Sequence, residues 1–114
     1  MVSEVTPPPP PFRVIVPATV KIDPEVVNLR SRGVSSAFVE LPEPYAPADV
    51  DVSTVVCQGA PAVNALVVAK KLIVKCDVQQ LEDVRLGQRV ELWVGGQLSD
   101  GSVFFGSHFV RVIR

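Results

Sequence analysis

The chain has 114 residues, of which 47% are hydrophobic and 20% charged, so it is too apolar to be disordered and long enough to bury a core without needing disulfides or metals. Its 11 basic and 12 acidic residues give a net charge of −1 and are spread along the chain, which leaves no basic stripe for nucleic acid. No apolar run approaches the length of a membrane span. The composition predicts one soluble globular domain that neither binds nucleic acid nor inserts into a membrane.

The N-terminal residues read as an arm. Pro7 to Pro11 are consecutive prolines, which are typical of a spacer that follows another domain or a processing site. No signal peptide is visible in this numbering, because no basic segment leads into an apolar core and a cleavage site. We expect residues 1–11 to be a proline-rich arm or linker and residues 12–114 to be the folded domain. An extracellular or cell-surface setting is favoured, with the chain as a mature or excised part of a secreted protein.

The folded part reads as strands throughout. Short apolar, β-branched runs alternate with Pro, Gly, Asn and Asp, which is typical of an antiparallel β-sandwich or barrel, and we expect an all-β, immunoglobulin-like sandwich. One short helical turn is expected over residues 79–84. Asp100-Gly101 between two apolar runs predicts a tight hairpin flanked by Leu98 and Val103. The candidate strands are 12–16, 19–22, 26–29, 36–41, 52–57, 66–69, 72–76, 88–98 and 102–113.

The two cysteines, Cys57 and Cys76, admit one disulfide. Both lie in strand-like runs, and alternation places Cys76 on an apolar face. The favoured interpretation is a pair of buried thiols that act as small hydrophobic side chains. A bridge between adjacent strands remains the alternative. No CxxC motif or Cys/His pair indicates a metal or redox site.

No group of residues is arranged for catalysis. The one histidine, His108, has no cysteine or carboxylate near it at a triad or ligand spacing, so we expect a structural or surface role. Four carboxylates flank a proline-rich loop but lack the glycine and spacing of a calcium loop, which favours a solvated loop. We therefore expect no enzyme activity, no cofactor and no metal. The four carboxylates are those of Glu40, Glu43, Asp49 and Asp51.

Three phrases together resemble a known domain family. They are ATVKIDPEVVNLRSRG at residues 18–33, VELP leading to ADVDVSTV at residues 39–55, and the segment 90–106 with LSDGS. They are similar to a small immunoglobulin-like β-sandwich domain that recurs in secreted and surface proteins of bacteria and archaea, and the resemblance covers residues 18–113. It implies no catalytic residues and a role in spacing, adhesion or assembly outside the cell.

The chain departs from that family at one loop. Family members commonly carry alternating aspartates with a glycine, similar to a calcium loop, before the strand that matches Lys71–Asp77. Residues 60–70 hold no carboxylate here. The resemblance therefore does not extend to calcium binding at that loop.

The C-terminal aromatic residues are the main candidates for a contact surface. Trp93 is out of phase with Leu92 and Val94, and Phe104-Phe105 and Phe109-Val110 are adjacent apolar pairs, so some large side chains must point away from the core. Bulges at Gly95, Gly96 or Gly106 would change which ones do. One interpretation is that a loop or the arm covers these side chains. The other is a contact surface for a subunit or ligand.

These observations favour a non-enzymatic module that associates with itself or another protein, as a subunit of a filament or larger assembly. The strand after the arm could be donated to the sheet edge of a neighbour. The alternative is a carbohydrate-binding or adhesion module in which Trp93 and a phenylalanine stack on sugar, although only Arg111, His108 and Gln97 offer polar groups nearby. The predicted interaction residues are Phe12, Val14, Val16, Trp93, Phe105 and Phe109.

Overall fold

The structure is a computed structural model, and it describes residues 14–114. These residues are all-β, with two single 3₁₀ turns at Pro47–Asp49 and Val78–Gln80 and no α-helix among them. None of the described residues forms a helix that is long and apolar enough to cross a membrane. The strands are β1 (Ile15–Pro17), β2 (Thr19–Asp23), β3 (Val26–Asn28), β4 (Val34–Glu40), β5 (Val50–Cys57), β6 (Ala60–Val68), β7 (Lys71–Asp77), β8 (Gly87–Leu98) and β9 (Val103–Ile113).

The sequence pattern located these strands well. For seven of the predicted strands, both the first and the last residue lie within two positions of the observed strand. The strand predicted at 66–69 is much longer, because β6 begins at Ala60, and the predicted turn at 79–84 is instead a 3₁₀ turn at Val78–Gln80. The first strand is shifted to Ile15–Pro17, and Phe12 lies outside the described residues.

The strands form one nearly closed sheet in the order β1-β9-β8-β5-β6-β7-β4-β2, and β3 also pairs with β9. The expectation of a purely antiparallel arrangement is wrong, because β1 and β3 both pair with β9 in parallel. The N-terminal segment runs along β9 in one direction and leaves it only where β2 pairs with β4. β1 and β3 therefore cover the two ends of one edge of β9.

The hairpin of β8 and β9 has the longest pairing in the sheet. Its register runs unbroken from Val90↔Val110 to Gln97↔Val103. A bulge at Gly95, Gly96 or Gly106, considered from the sequence, is therefore absent from this pairing. The only irregularity lies between Gly87 and Val90.

The turn of this hairpin confirms the prediction from Asp-Gly, since β8 ends at Leu98 and β9 begins at Val103. Gly101 has φ +90°, a conformation that glycine adopts without steric cost. The Asp100 carboxylate accepts hydrogen bonds from the Ser102 hydroxyl and from its backbone N–H, the latter at 2.8 Å. These two bonds lower the pKa of Asp100, because they stabilise the ionised form.

Alternation of buried and more exposed side chains, which is clearest on β2, β7 and β9 and in the second half of β8, builds the core. On β8, Leu92, Val94 and Leu98 are buried, and on β9 the buried positions include Phe104 and Val110. Burying such side chains stabilises the fold by roughly 1.5–3 kcal/mol each. The rest of the same core consists of Val112 on β9, Val78 in the second 3₁₀ turn, and residues of the other strands, namely Val16, Val20, Ile22, Val27, Ala37, Val39, Val50, Val55, Cys57, Ala60, Leu72, Val74 and Cys76.

Cys57 and Cys76 form a disulfide, so the favoured expectation of two free thiols is wrong. Both residues are buried, and their Cα atoms are 6.3 Å apart. The bond joins the end of β5 to β7, which are separated in the sheet by β6. It is therefore not a bridge between adjacent strands, and alternation within each strand could not indicate it.

Gly106 lies where the chain crosses from β1 to β2. The Ala18 N–H donates to the carbonyl of Phe105 at 2.9 Å, which brings the backbone of the crossing directly against β9. A Cβ atom built on Gly106 would overlap the carbonyl oxygen of Ala18 and crowd the Val20 side chain. Glycine is required here by the close approach of two backbones rather than by a bulge.

Replacing Gly106 by alanine should therefore lower the free energy of unfolding by about 2–3 kcal/mol, because the clash is with backbone that cannot rotate away. Urea denaturation of the variant against the wild type measures the loss. Gly33→Ala is the matched control, since its new Cβ would have only Ser31 Oγ near it, at 3.4 Å. Equal stability of the two variants would contradict this role of Gly106.

Candidate interaction surface

An aromatic pair stands on the outer face of the hairpin. The Trp93 and Phe105 rings are stacked, with centroids 5.6 Å apart and planes inclined by 27°. Trp93 opposes Ser107 and Gly95 opposes Phe105, so the two aromatic residues are diagonal neighbours across the β8–β9 ladder. Phe105 is 49% exposed. The regular alternation of both strands places this pair opposite the core.

A second aromatic contact lies further along the same face. Phe109 is 43% exposed, and the Arg89 guanidinium carbon lies 4.3 Å from the centre of its ring. Arginine over an aromatic face is a favourable cation–π arrangement. Between the two contacts, the Ser107 hydroxyl donates to the Glu91 carboxylate at 2.6 Å. The outer face thus carries an aromatic pair, a polar pair and an arginine–phenylalanine pair in sequence along the hairpin.

β1 extends the apolar part of this surface. Ile15 pairs with Val103 and is 67% exposed. A shallow depression of about 350 Å³ is lined by Ile15, Val103, Phe104 and Phe105. We define the aromatic surface as Ile15, Arg89, Trp93, Phe105 and Phe109.

Of the predicted interaction residues near the N-terminus, Val14 is exposed and Val16 is buried. Val16 is 1% exposed and packs in the core, while Val14 is 59% exposed and its carbonyl accepts a hydrogen bond from the Val103 N–H at 2.9 Å. The edge of β9 thus holds this segment within its own chain. Of the predicted residues, Trp93 and Phe105 are brought together.

His108 lies on the opposite face of β9 from the aromatic surface. Its Nδ1 accepts a hydrogen bond from the Ile22 backbone N–H at 3.1 Å, and its Nε2 lies 3.3 Å from a carboxylate oxygen of Glu25. β1 pairs with one end of β9 and β3 with the other, and His108 lies between these two pairings. There it connects β9 to the segment that contains β2 and the turn before β3. It cannot serve as a polar neighbour of Trp93, as the carbohydrate hypothesis had assumed.

The acidic loop is held by local hydrogen bonds. Asp49 accepts one from the Ala46 N–H at 3.2 Å, and Asp51 accepts from the hydroxyl and the N–H of Ser53. A depression of about 620 Å³ lies beside this loop, with the Glu40–Lys71 ion pair of 3.1 Å at its rim. Among residues 14–114, no three His, Cys, Asp or Glu side chains are grouped closely enough to share a metal ion.

Sequence reasoning missed Ile15, Arg89 and the Glu91–Ser107 bond. Arg89 and Trp93 differ by four positions, so period-two alternation puts them on one face, and this signal was present in the sequence. The place of Ile15 beside Phe105 depends on a parallel pairing that no local pattern encodes.

Comparison with protein-family models, with curated proteins and with solved structures finds no match for this chain. The immunoglobulin-like family that the sequence resembles therefore stays a prediction. The function is inferred from the chemistry of the surfaces.

Replacing His108 by alanine should lower the free energy of unfolding by about 1–3 kcal/mol, because the Ile22 N–H loses its acceptor. Thermal or urea unfolding measures this loss. Ser107→Ala, one residue away on the outer face, removes only an exposed bond to Glu91 and should change stability by less than about 0.5 kcal/mol. A larger loss for Ser107→Ala than for His108→Ala would contradict the role given to the histidine.

Proposed function

We propose that this protein is a non-enzymatic interaction module of an extracellular or cell-surface protein, and that it associates with further copies of itself to form a larger assembly. The aromatic surface is its main contact. The observation that carries this proposal is the stacked, solvent-facing Trp93–Phe105 pair, continued by Phe109.

The chemistry of the aromatic surface supports a protein partner. Aromatic residues and arginine are enriched in protein interfaces, where rigid side chains bury much area for little lost entropy. Phe105, Phe109 and Ile15 expose between 43% and 67% of their surface on one face. Exposed apolar groups gathered in this way typically mark a contact site. Between the aromatic contacts, the Ser107 hydroxyl already donates to the Glu91 carboxylate, which satisfies part of the hydrogen-bonding capacity of that carboxylate.

The disulfide supports the proposed location. Disulfides persist in oxidising compartments and are rare in the cytosol. The Cys57–Cys76 bond is buried within the core, where it serves as a structural bond rather than a catalytic one.

We propose further that the nearly closed sheet is an immunoglobulin-like sandwich. In this reading, β1, β3, β9, β8 and β5 form one layer, and β6, β7, β4 and β2 form the other. The β5–β7 disulfide supports it, since a buried bond between layers is common in that architecture. The crossing of the N-terminal segment from β9 to β4 is consistent with a first strand shared between layers.

The proline-rich arm is proposed as a second connector. The segment before Val14 contains five consecutive prolines, which favour an extended conformation of about 3.1 Å per residue. Because Val16 is part of the core of its own chain, its transfer to a neighbour would remove a core side chain, so we place the connector in residues 1–13. If two copies exchanged β1, the arm that precedes it in the chain would also move to the neighbouring copy.

Carbohydrate binding is the second candidate. The exposed aromatic rings and the neighbouring Glu91 and Ser107 are the groups that a sugar site would use. The ring geometry favours it less, because Trp93 and Phe105 turn faces toward each other. A stacking platform presents its faces side by side toward the sugar.

Replacing both Trp93 and Phe105 by serine should abolish the larger assemblies that the wild type forms at the same concentration, because the aromatic pair forms the centre of the contact. Light scattering after size exclusion measures the mass. The variant should stay folded, because the pair lies outside the core. Loss of the ring–ring contact should lower the free energy of unfolding by about 0.5–1.5 kcal/mol, in addition to the effect of the apolar area that the two rings bury. Val34→Ser is the control, since Val34 is 49% exposed and lies outside the surface. An unchanged mass for the double variant would overturn the proposal.

Deleting residues 1–13 should leave a folded domain with native stability and should reduce the size of the assembly, because only the connector is lost. Deleting residues 1–16 instead removes Val16 from the core and uncovers β9, so it should also cost about 2 kcal/mol or more of stability. The two deletions separate a connecting role from a packing role. If assembly were unchanged after the first deletion, the arm would not be a connector.

A further inference from the structure

β6 has an unpaired edge along most of its length. It pairs with β5 only at Cys57↔Ala60 and Val56↔Pro61. From Ala62 to Val68 it pairs with β7 on its other side, and no described strand pairs with the edge that faces β5. The pairing between β5 and β6 therefore stops after Pro61. The free N–H and C=O groups of this edge form a template for another strand.

The side chains of β6 leave this edge unprotected. Val63, Leu66, Val67 and Val68 are between 40% and 59% exposed. Residues 60–69 contain no charged side chain. Proteins usually protect an exposed edge with lysine, proline or an inward-pointing charge, because an apolar edge pairs readily with other chains. Pro61 lies at the start of β6, before the free stretch, and the open part has none of these protections.

The two ends of the edge carry opposite charges. At the C-terminal end, Lys70 and Lys71 follow β6, and Lys71 is already paired with Glu40 at 3.1 Å. At the N-terminal end, the backbone N–H of Glu82 donates to the Gln58 carbonyl at 2.8 Å, which places Glu82 and the exposed Asp83 beside the β5–β6 turn. An approaching strand therefore meets an acidic end, an apolar centre and a basic end.

We propose that two copies of this chain pair through their β6 edges in antiparallel orientation, extending the β6–β7 side of the sheet across a two-fold axis. A second copy fits this edge because antiparallel pairing brings Lys70 of one copy toward Glu82 and Asp83 of the other, twice. Parallel pairing would bring like charges together. A contact of this type is closed and uses the same surface on both copies, so it yields a dimer rather than a fibre.

This contact is separate from the aromatic surface and does not depend on the proposed function. β6 lies beyond β5 in the strand order, and none of its residues belongs to the aromatic surface. A molecule with both contacts could pair through β6 and associate further through the aromatic surface.

The first test introduces an inward-pointing charge at the edge. Val67 pairs with the buried Leu72 and shares its inner face, yet it is 48% exposed, so Val67→Lys should fold normally. It should raise the dimer dissociation constant at least about tenfold, a change equivalent to about 1.4 kcal/mol. Val34→Lys adds the same charge at a site of 49% exposure outside β6 and should leave the constant unchanged. Equal behaviour of the two variants in analytical ultracentrifugation would overturn the proposal.

The second test uses the charges to define the partner. Lys70→Glu alone and Glu82→Lys alone should each weaken the dimer. Each single variant places like charges opposite each other across the contact, and the two-fold axis repeats this at both ends of the paired strands. The double variant should recover wild-type affinity in low salt. If the double variant stays as weak as the single ones, the antiparallel pairing of two copies is wrong.

Hydrogen exchange then identifies what covers the edge. The amides of residues 62–68 should become protected as concentration rises, both in the Trp93/Phe105 double serine variant and after deletion of residues 1–13. Protection that disappears with the arm would identify the arm as the occupant and overturn the proposal. A protected edge in the double serine variant would support β6 pairing even if the aromatic surface proved to have no role, so the two proposals can fail separately.

Discussion

The long antiparallel pairing of β8 with β9 is the interaction on which the rest of this molecule depends. The unbroken register from Val90↔Val110 to Gln97↔Val103, through three glycines, fixes the direction of the side chains within it. Phe104 is thereby buried, and Trp93 and Phe105 are placed together on the outer face. A slip of one residue in either strand would exchange the two faces of that strand and turn its aromatic residue toward the core. The core and the candidate surface are thus two consequences of one register.

β9 also has a protected edge, on the side opposite β8. β1 and β3 cover its two ends, and His108 provides the acceptor for Ile22 in the interval between them. From Ala62 to Val68, the β6 edge that faces β5 has no partner strand among residues 14–114, and its side chains carry no charge. The β9 edge and the β6 edge are thus protected very differently. This difference is why we propose a second contact at the β6 edge.

The sequence allowed the strands to be predicted, because period-two alternation and turn residues are local signals. Residues Asp100 and Gly101 located the hairpin correctly, and alternation placed Trp93 opposite Leu92. The disulfide, the parallel pairing of Ile15 and the open edge of β6 depend on which strands meet in space, and no local pattern encodes that. Alternation also could not indicate that β6 would stay exposed, since its uninterrupted apolar run is equally typical of a buried strand.

The molar mass of the native chain across a concentration series, measured by light scattering after size exclusion, tests the central claim most directly. Two apolar surfaces with no cover within the described residues should drive association, so the mass should rise from that of the 12.3 kDa monomer to a dimer and then to larger species. A constant monomer mass up to millimolar concentration would contradict self-association through either surface. The aromatic surface would then be assigned to a different protein or to a sugar.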